Sequence, residues 1–125
     1  MAETLVVVAG GNAELLEEVA RELGQRGYDA ITAGDGQAAL DKIREHRPAA
    51  AVLDWVMPVM QGPKVCRLLK DDPETAAIPV VLLTARTSER DIAAAFAEGA
   101  DEYLTKPFAV DELDETLGRL IDKRP

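Results

Sequence analysis

"AAAVLDWVMP", residues 49–58, is an apolar run that stops at one carboxylate, Asp54, and is broken four residues later by Pro58. A strand with one wet face alternates apolar and polar side chains, whereas a strand covered on both faces reads as continuous Val, Leu and Ala. Ala49–Asp54 therefore predicts a central parallel strand with an acid at its carboxyl end. Leu5–Ala9 and Val80–Thr84 have the same character. Tyr28–Ala33, "YDAITA", alternates more and suits an edge, and Glu102–Leu104 completes five strand candidates.

The segments between these strands have helical spacing. Leu15, Leu16, Val19, Ala20 and Leu23 form one apolar stripe, and Gly27 is placed to end that helix in a left-handed conformation. A second helix is expected from Gln37 to His46, with Ala39, Leu40 and Ile43 inward and Pro48 as its stop. Val65, Cys66, Leu68 and Leu69 mark a third, ending before Pro73 and leaving "DDPETAAIP" as a polar connection. Ser88 followed by Asp91 resembles a capping box that opens a helix bearing Ile92, Ala95 and Phe96, closed by Gly99. Val110–Asp122 is the last, with Leu113, Leu117, Leu120 and Ile121 on one side. Strand and helix alternate five times. A chain of 125 residues, 47% of them apolar, is long enough for one core and short for two, so residues 1–125 read as one domain, and right-handed crossovers favour a doubly wound α/β parallel sheet of the flavodoxin-like (βα)5 kind, strand order 2-1-3-4-5.

Composition narrows what such a domain can do. Fourteen basic and twenty-three acidic side chains leave a net charge of −9, which opposes direct binding to nucleic acid or to an anionic membrane. The run Leu5–Ala9 is too short for a signal-peptide core or a bilayer span, so a cytoplasmic location is expected. Cys66 is the only cysteine, which excludes an intrachain disulfide and a cysteine metal cluster, and its apolar stripe predicts a buried small hydrophobe. His46 is expected on a solvated helix end, with no relay role.

Ligands of doubly wound sheets lie beyond the carboxyl ends of the strands. There the sequence places Gly10 and Gly11, then Asp54, Thr84 and Lys106. A carboxylate, a hydroxyl and an ammonium in one crevice suit a phosphoryl group. Asp54 is the nucleophile that forms an acyl phosphate, Thr84 donates to a phosphoryl oxygen, and Lys106 pairs with the oxygens after transfer.

The stretches "VLDWVMP", "VVLLTAR" and "EGADEYLTKPF", set in five βα units, resemble a response-regulator receiver domain. The resemblance implies that Asp54 accepts phosphate from a histidine kinase or phosphotransfer protein, that Thr84 and Tyr103 are a switch pair, and that Lys106 is the active-site lysine. It implies a Lys106–Pro107 bond that is often cis. It also implies an output face on the fourth helix, fifth strand and fifth helix, used for a homodimer or an effector protein. The family normally has two acidic residues after the first strand to hold a divalent metal, and Gly10 and Gly11 stand in those positions. The Asp54 carboxylate and the Val56 carbonyl are then the remaining protein ligands, Asn12 is a weak substitute, and Gln61 replaces a common acid. Magnesium binding is expected to be weak or absent. Arg86, two residues beyond Thr84, is expected near the mouth, and the glycine amides at the helix start can favour an anion.

Each residue also has a plainer reading. Gly10-Gly11 can be a permissive turn, Thr84 a strand residue bonded to its own backbone, Tyr103 packing, and Lys106 only a partner for Asp54. Two further functions follow from these. One is a phosphorylation-independent pseudo-receiver that acts as a docking module. The other is a nucleotide- or flavin-binding flavodoxin-like protein, which "AGGNAE" supports poorly because the third glycine of a dinucleotide turn is missing. All three are regulatory or binding roles and not enzymes in the ordinary sense.

Overall fold

The computed structural model describes residues 4–86 and 88–122. Strands β1 (Thr4–Ala9), β2 (Tyr28–Ala33), β3 (Ala50–Asp54), β4 (Val80–Thr84) and β5 (Glu102–Thr105) alternate with helices α1 (Ala13–Gly24), α2 (Gly36–His46), α3 (Gly62–Asp71), α4 (Glu89–Ala97) and α5 (Val110–Asp122). The strands are all parallel, in the expected order β2-β1-β3-β4-β5.

Successive strand residues point to opposite faces, so a continuous apolar run feeds two cores at once. Val6, Val8, Val52 and Leu83 meet Leu16, Val19, Leu113 and Leu117 of α1 and α5. Val7, Leu53 and Leu82 meet Leu40, Ile43, Val65 and Leu69 of α2 and α3 on the other side. Each buried Val or Leu stabilises the fold by about 1.5–3 kcal/mol, and both faces of the three inner strands are used. Asn12, Asp35 and Ser88 cap α1, α2 and α4 with side-chain oxygens that accept the amides of Leu15, Ala38 and Asp91.

Several local expectations are corrected. Helix α1 stops at Gly24 under a right-handed Gln25 cap, and Gly27 takes its positive φ of 92° later, in the turn into β2. Ala49 precedes β3, while Thr105 extends β5. In α4 only Ala95 is buried; Phe96 is 43% exposed, because α4 rests against a short edge strand. The Ser88 hydroxyl accepts the Asp91 amide and donates to the Asp91 carboxylate, a shorter loop than Glu would make. The connection after α3 is anchored rather than merely polar: Thr75 is fully buried and donates its hydroxyl to the Leu69 carbonyl at 2.7 Å.

One close approach positions the end of β3. The Gly62 amide donates to the Trp55 carbonyl at 2.9 Å, and α3 begins directly beside the Asp54 peptide. A Cβ at Gly62 would lie 2.4 Å from the Asp54 carbonyl oxygen and 3.1 Å from a Leu82 methyl. Only a residue without Cβ fits there. Gly118, inside α5, has nothing within 4 Å of its Cβ position. Urea denaturation should therefore show Gly62→Ala losing about 1–3 kcal/mol through overpacking, and Gly118→Ala gaining up to about 1 kcal/mol from helix propensity. Equal midpoints for the two variants would contradict this account.

Candidate functional site

Parallel register brings the strand ends to one edge of the sheet. Asp54 pairs with Leu83, and Thr84 pairs with Thr105, so Lys106 follows directly beside Thr84. The ladder continues past the strands: the Trp55 amide donates to the Leu83 carbonyl and the Lys106 amide to the Thr84 carbonyl, both at 2.8 Å. Asp54, Thr84 and Lys106 thus meet in a cleft of about 360 Å³, with Trp55 and Arg86 in its wall.

The Lys106 ammonium lies 2.7 Å from each Asp54 carboxylate oxygen. The two side chains are 29% and 14% exposed, so the pair is well shielded from water without being sealed. A carboxylate taken this far from solvent needs such a partner, and the lysine supplies charge and hydrogen bonds together.

Thr84 is buried, and its hydroxyl accepts the Arg86 amide at 2.8 Å. The local backbone bond of its plainer reading is therefore present. Accepting one bond still leaves the hydroxyl its proton to donate. The Arg86 guanidinium sits 5.3 Å from the Trp55 ring centre, a cation–π distance, and its Nη1 is 3.8 Å from an Asp91 oxygen. Tyr103 stands apart from this cleft, half-buried on β5, edge-on to Phe96 with ring centres 5.9 Å apart.

Gly10 and Gly11 have no positive φ, so a permissive turn does not account for them. Proximity does at Gly10: a Cβ there would lie 3.1 Å from Asp54 Oδ2. At Gly11 it would lie 3.2 Å from the Pro58 ring. The Gly10 amide is engaged by the Ala33 carbonyl at 3.0 Å, which removes it as an anion donor. Asn12 is engaged as well, since its Oδ1 caps α1 by accepting the Leu15 amide at 3.1 Å. Val56 and Gln61 are exposed in the loop after β3. Among the described residues no three His, Cys, Asp or Glu side chains are grouped as a metal-binding set.

The Lys106–Pro107 bond is cis. Cys66 is buried, and burial pushes its thiol up to about 12, so it stays protonated and unreactive. His46 is exposed at the end of α2. Sequence reasoning missed two features here: the close approach of Gly62, and the seating of Arg86 on Trp55. The second had a signal, because Trp55 and Arg86 follow adjacent strand ends.

The profile of the response regulator receiver domain matches residues 6–118. The DNA-binding response regulator MtrA of Mycobacterium tuberculosis is 39% identical over 108 residues, 86% of this chain and 46% of that protein, so the chain spans about half the length of such relatives. The receiver domain of Francisella response regulator 1452 superposes with a TM-score of 0.91 at 29% identity, covering 98% of this chain and 99% of that one. The receiver domain of the sensor histidine kinase PA1611 from Pseudomonas aeruginosa, with a magnesium ion coordinated in its active-site cleft, gives 0.85 at 26% identity, over 98% of this chain and 100% of that one.

The Asp54–Lys106 contact makes a stability prediction. A double-mutant cycle of Asp54→Asn and Lys106→Met, followed by urea denaturation, should give a favourable coupling of about 1–3 kcal/mol, larger than exposed pairs give. Additive losses would mean that the two groups do not interact in solution.

Proposed function

Because the chain belongs to the response regulator receiver domain family, we propose that Asp54 is its phosphoacceptor and that residues 1–125 act as one signal-receiving unit. The observation that carries this is the shielded Asp54 carboxylate held by Lys106 beside the Thr84 hydroxyl. An Asp54 oxygen attacks phosphorus in a phosphohistidine; the new O–P bond forms as the P–N bond breaks, and its electron pair stays on the imidazole nitrogen, which takes up a proton from water. Lys106 then moves from carboxylate to phosphoryl oxygens, and Thr84 donates its hydroxyl proton to one of them. Drawing Thr84 inward pulls on the β4–α4 connection and leaves room for Tyr103 to turn from its place against Phe96. Such a shift needs the phosphoryl group to bind one arrangement better than the other.

Magnesium fits the site poorly. Gly10 and Gly11 supply no carboxylate, Gly10 leaves no room for a side chain beside Asp54 without displacement, and both Asp54 oxygens are on Lys106. Octahedral coordination with mostly neutral ligands gives weak binding. The donor proposed is a histidine kinase or phosphotransfer protein in the cytoplasm, and the recipient is an effector. The α4–β5–α5 face, with Phe96 exposed, is the proposed contact for an effector or a second copy. The DNA binding in MtrA's name is not carried over, since a chain of net charge −9 opposes a phosphate backbone. The same Gly10-Gly11 pair favours a second reading, a docking module whose Asp54 is never phosphorylated.

Intact-mass analysis separates the two. Incubation with a phosphorylated histidine kinase should add one phosphoryl group to the wild type and none to Asp54→Asn. No added mass with the kinase or with a small-molecule donor supports the docking module; equal addition to both proteins moves the acceptor elsewhere.

A further inference from the structure

The Asp54 cleft holds one carboxylate and two cations, Lys106 and Arg86. Lys106 balances Asp54 as it stands, at 2.7 Å from both oxygens. Phosphorylation would change that balance, because an acyl phosphate brings about two negative charges where the carboxylate had one. One lysine then falls a charge short. A site with an acidic pair meets the need with a divalent cation, and this one has glycines in those positions.

Arg86 is the group placed to make up the difference. Its amide is tied to the Thr84 hydroxyl, which fixes the root of the side chain at the cleft wall. Its guanidinium is held only loosely, over Trp55 at 5.3 Å and near Asp91 at 3.8 Å. The Asp91 contact is weak for a second reason, since the other Asp91 oxygen is engaged by the Ser88 hydroxyl at 2.8 Å. The guanidinium is half exposed and free to leave a weak pair for a stronger one. Its planar fork matches two phosphoryl oxygens, which a lysine cannot do.

We propose that Arg86 swings from Trp55 onto the phosphoryl group of Asp54 and takes the place of the divalent metal, so that phosphoryl acceptance is independent of metal. This rests on Asp54 being the phosphoacceptor. Together Lys106 and Arg86 bring two positive charges against the two of the acyl phosphate, so the phosphorylated cleft is neutral once Arg86 turns in from its contact with Asp91. Release of Arg86 from Trp55 also gives phosphorylation an optical signal at that ring.

The test uses acetyl phosphate with EDTA present. An Asp54 oxygen forms a bond to phosphorus as the acetyl O–P bond breaks, and acetate leaves with the electron pair; no proton or redox partner is needed. Wild type should be labelled in EDTA at a rate close to that in magnesium. Arg86→Gln should be slower by about tenfold or more, with Arg86→Lys between them, while thermal melting confirms that all three are folded. Trp55 emission should change with labelling in wild type and not with labelling in Arg86→Gln. Labelling of wild type only with magnesium, equal rates for wild type and Arg86→Gln in EDTA, or unchanged Trp55 emission in labelled wild type would each overturn the role of Arg86 and leave Asp54 as acceptor. No labelling of wild type with acetyl phosphate or with a phosphorylated kinase, in EDTA or in magnesium, would overturn the underlying reading instead.

Discussion

The contact between Lys106 and Asp54 joins two strand ends that are 52 residues apart and are separated by β4. Everything around it is arranged so that this pair can form. Along the ladder Asp54 lies level with Leu83 and Leu104, two residues before Lys106, and the lysine side chain reaches back to the carboxylate. Gly62 lets α3 start against the Asp54 peptide, and Gly10 lets β1 end against its carboxylate. A shielded charge without a partner would cost several kcal/mol, so the sheet register and the ion pair support each other.

That pair also shapes the electrostatic logic of the site. In the PA1611 receiver domain a magnesium ion is coordinated in the active-site cleft. Here the carboxylate is met by the protein's own ammonium, with glycines beside it and a guanidinium in the wall. On the proposed reading the protein carries its countercharges on flexible side chains rather than on an ion. On that reading the site changes state by moving Lys106 and Arg86; the Thr84 hydroxyl accepts the Arg86 amide, and the Arg86 guanidinium lies 3.8 Å from Asp91 of α4.

The fold was legible because the strand runs are unambiguous: Val6–Ala9, Ala50–Leu53 and Val80–Leu83 are buried on both faces, and their sequences read that way. The site was legible for a related reason, since Asp54, Thr84 and Lys106 sit at strand ends whose positions the runs define. What did not show in the sequence is what depends on distance across the chain. Gly10 resembles any turn glycine until its approach to Asp54 is seen, and Asn12 resembles a ligand until its oxygen is found capping α1. The outward face of Phe96 was also hidden, because helical spacing gives a face and not the extent of the sheet beneath it.

The central claim is that the Asp54–Lys106 pair closes the site without a metal, and a high-resolution crystal structure grown in millimolar magnesium chloride tests it most directly. The account predicts Lys106 Nζ within hydrogen-bond distance of both Asp54 oxygens, Arg86 stacked on Trp55, and no octahedral ion between Asp54 and Gly10. An ordered magnesium ion on the Asp54 carboxylate and Val56 carbonyl, with Lys106 displaced from one oxygen, would contradict it.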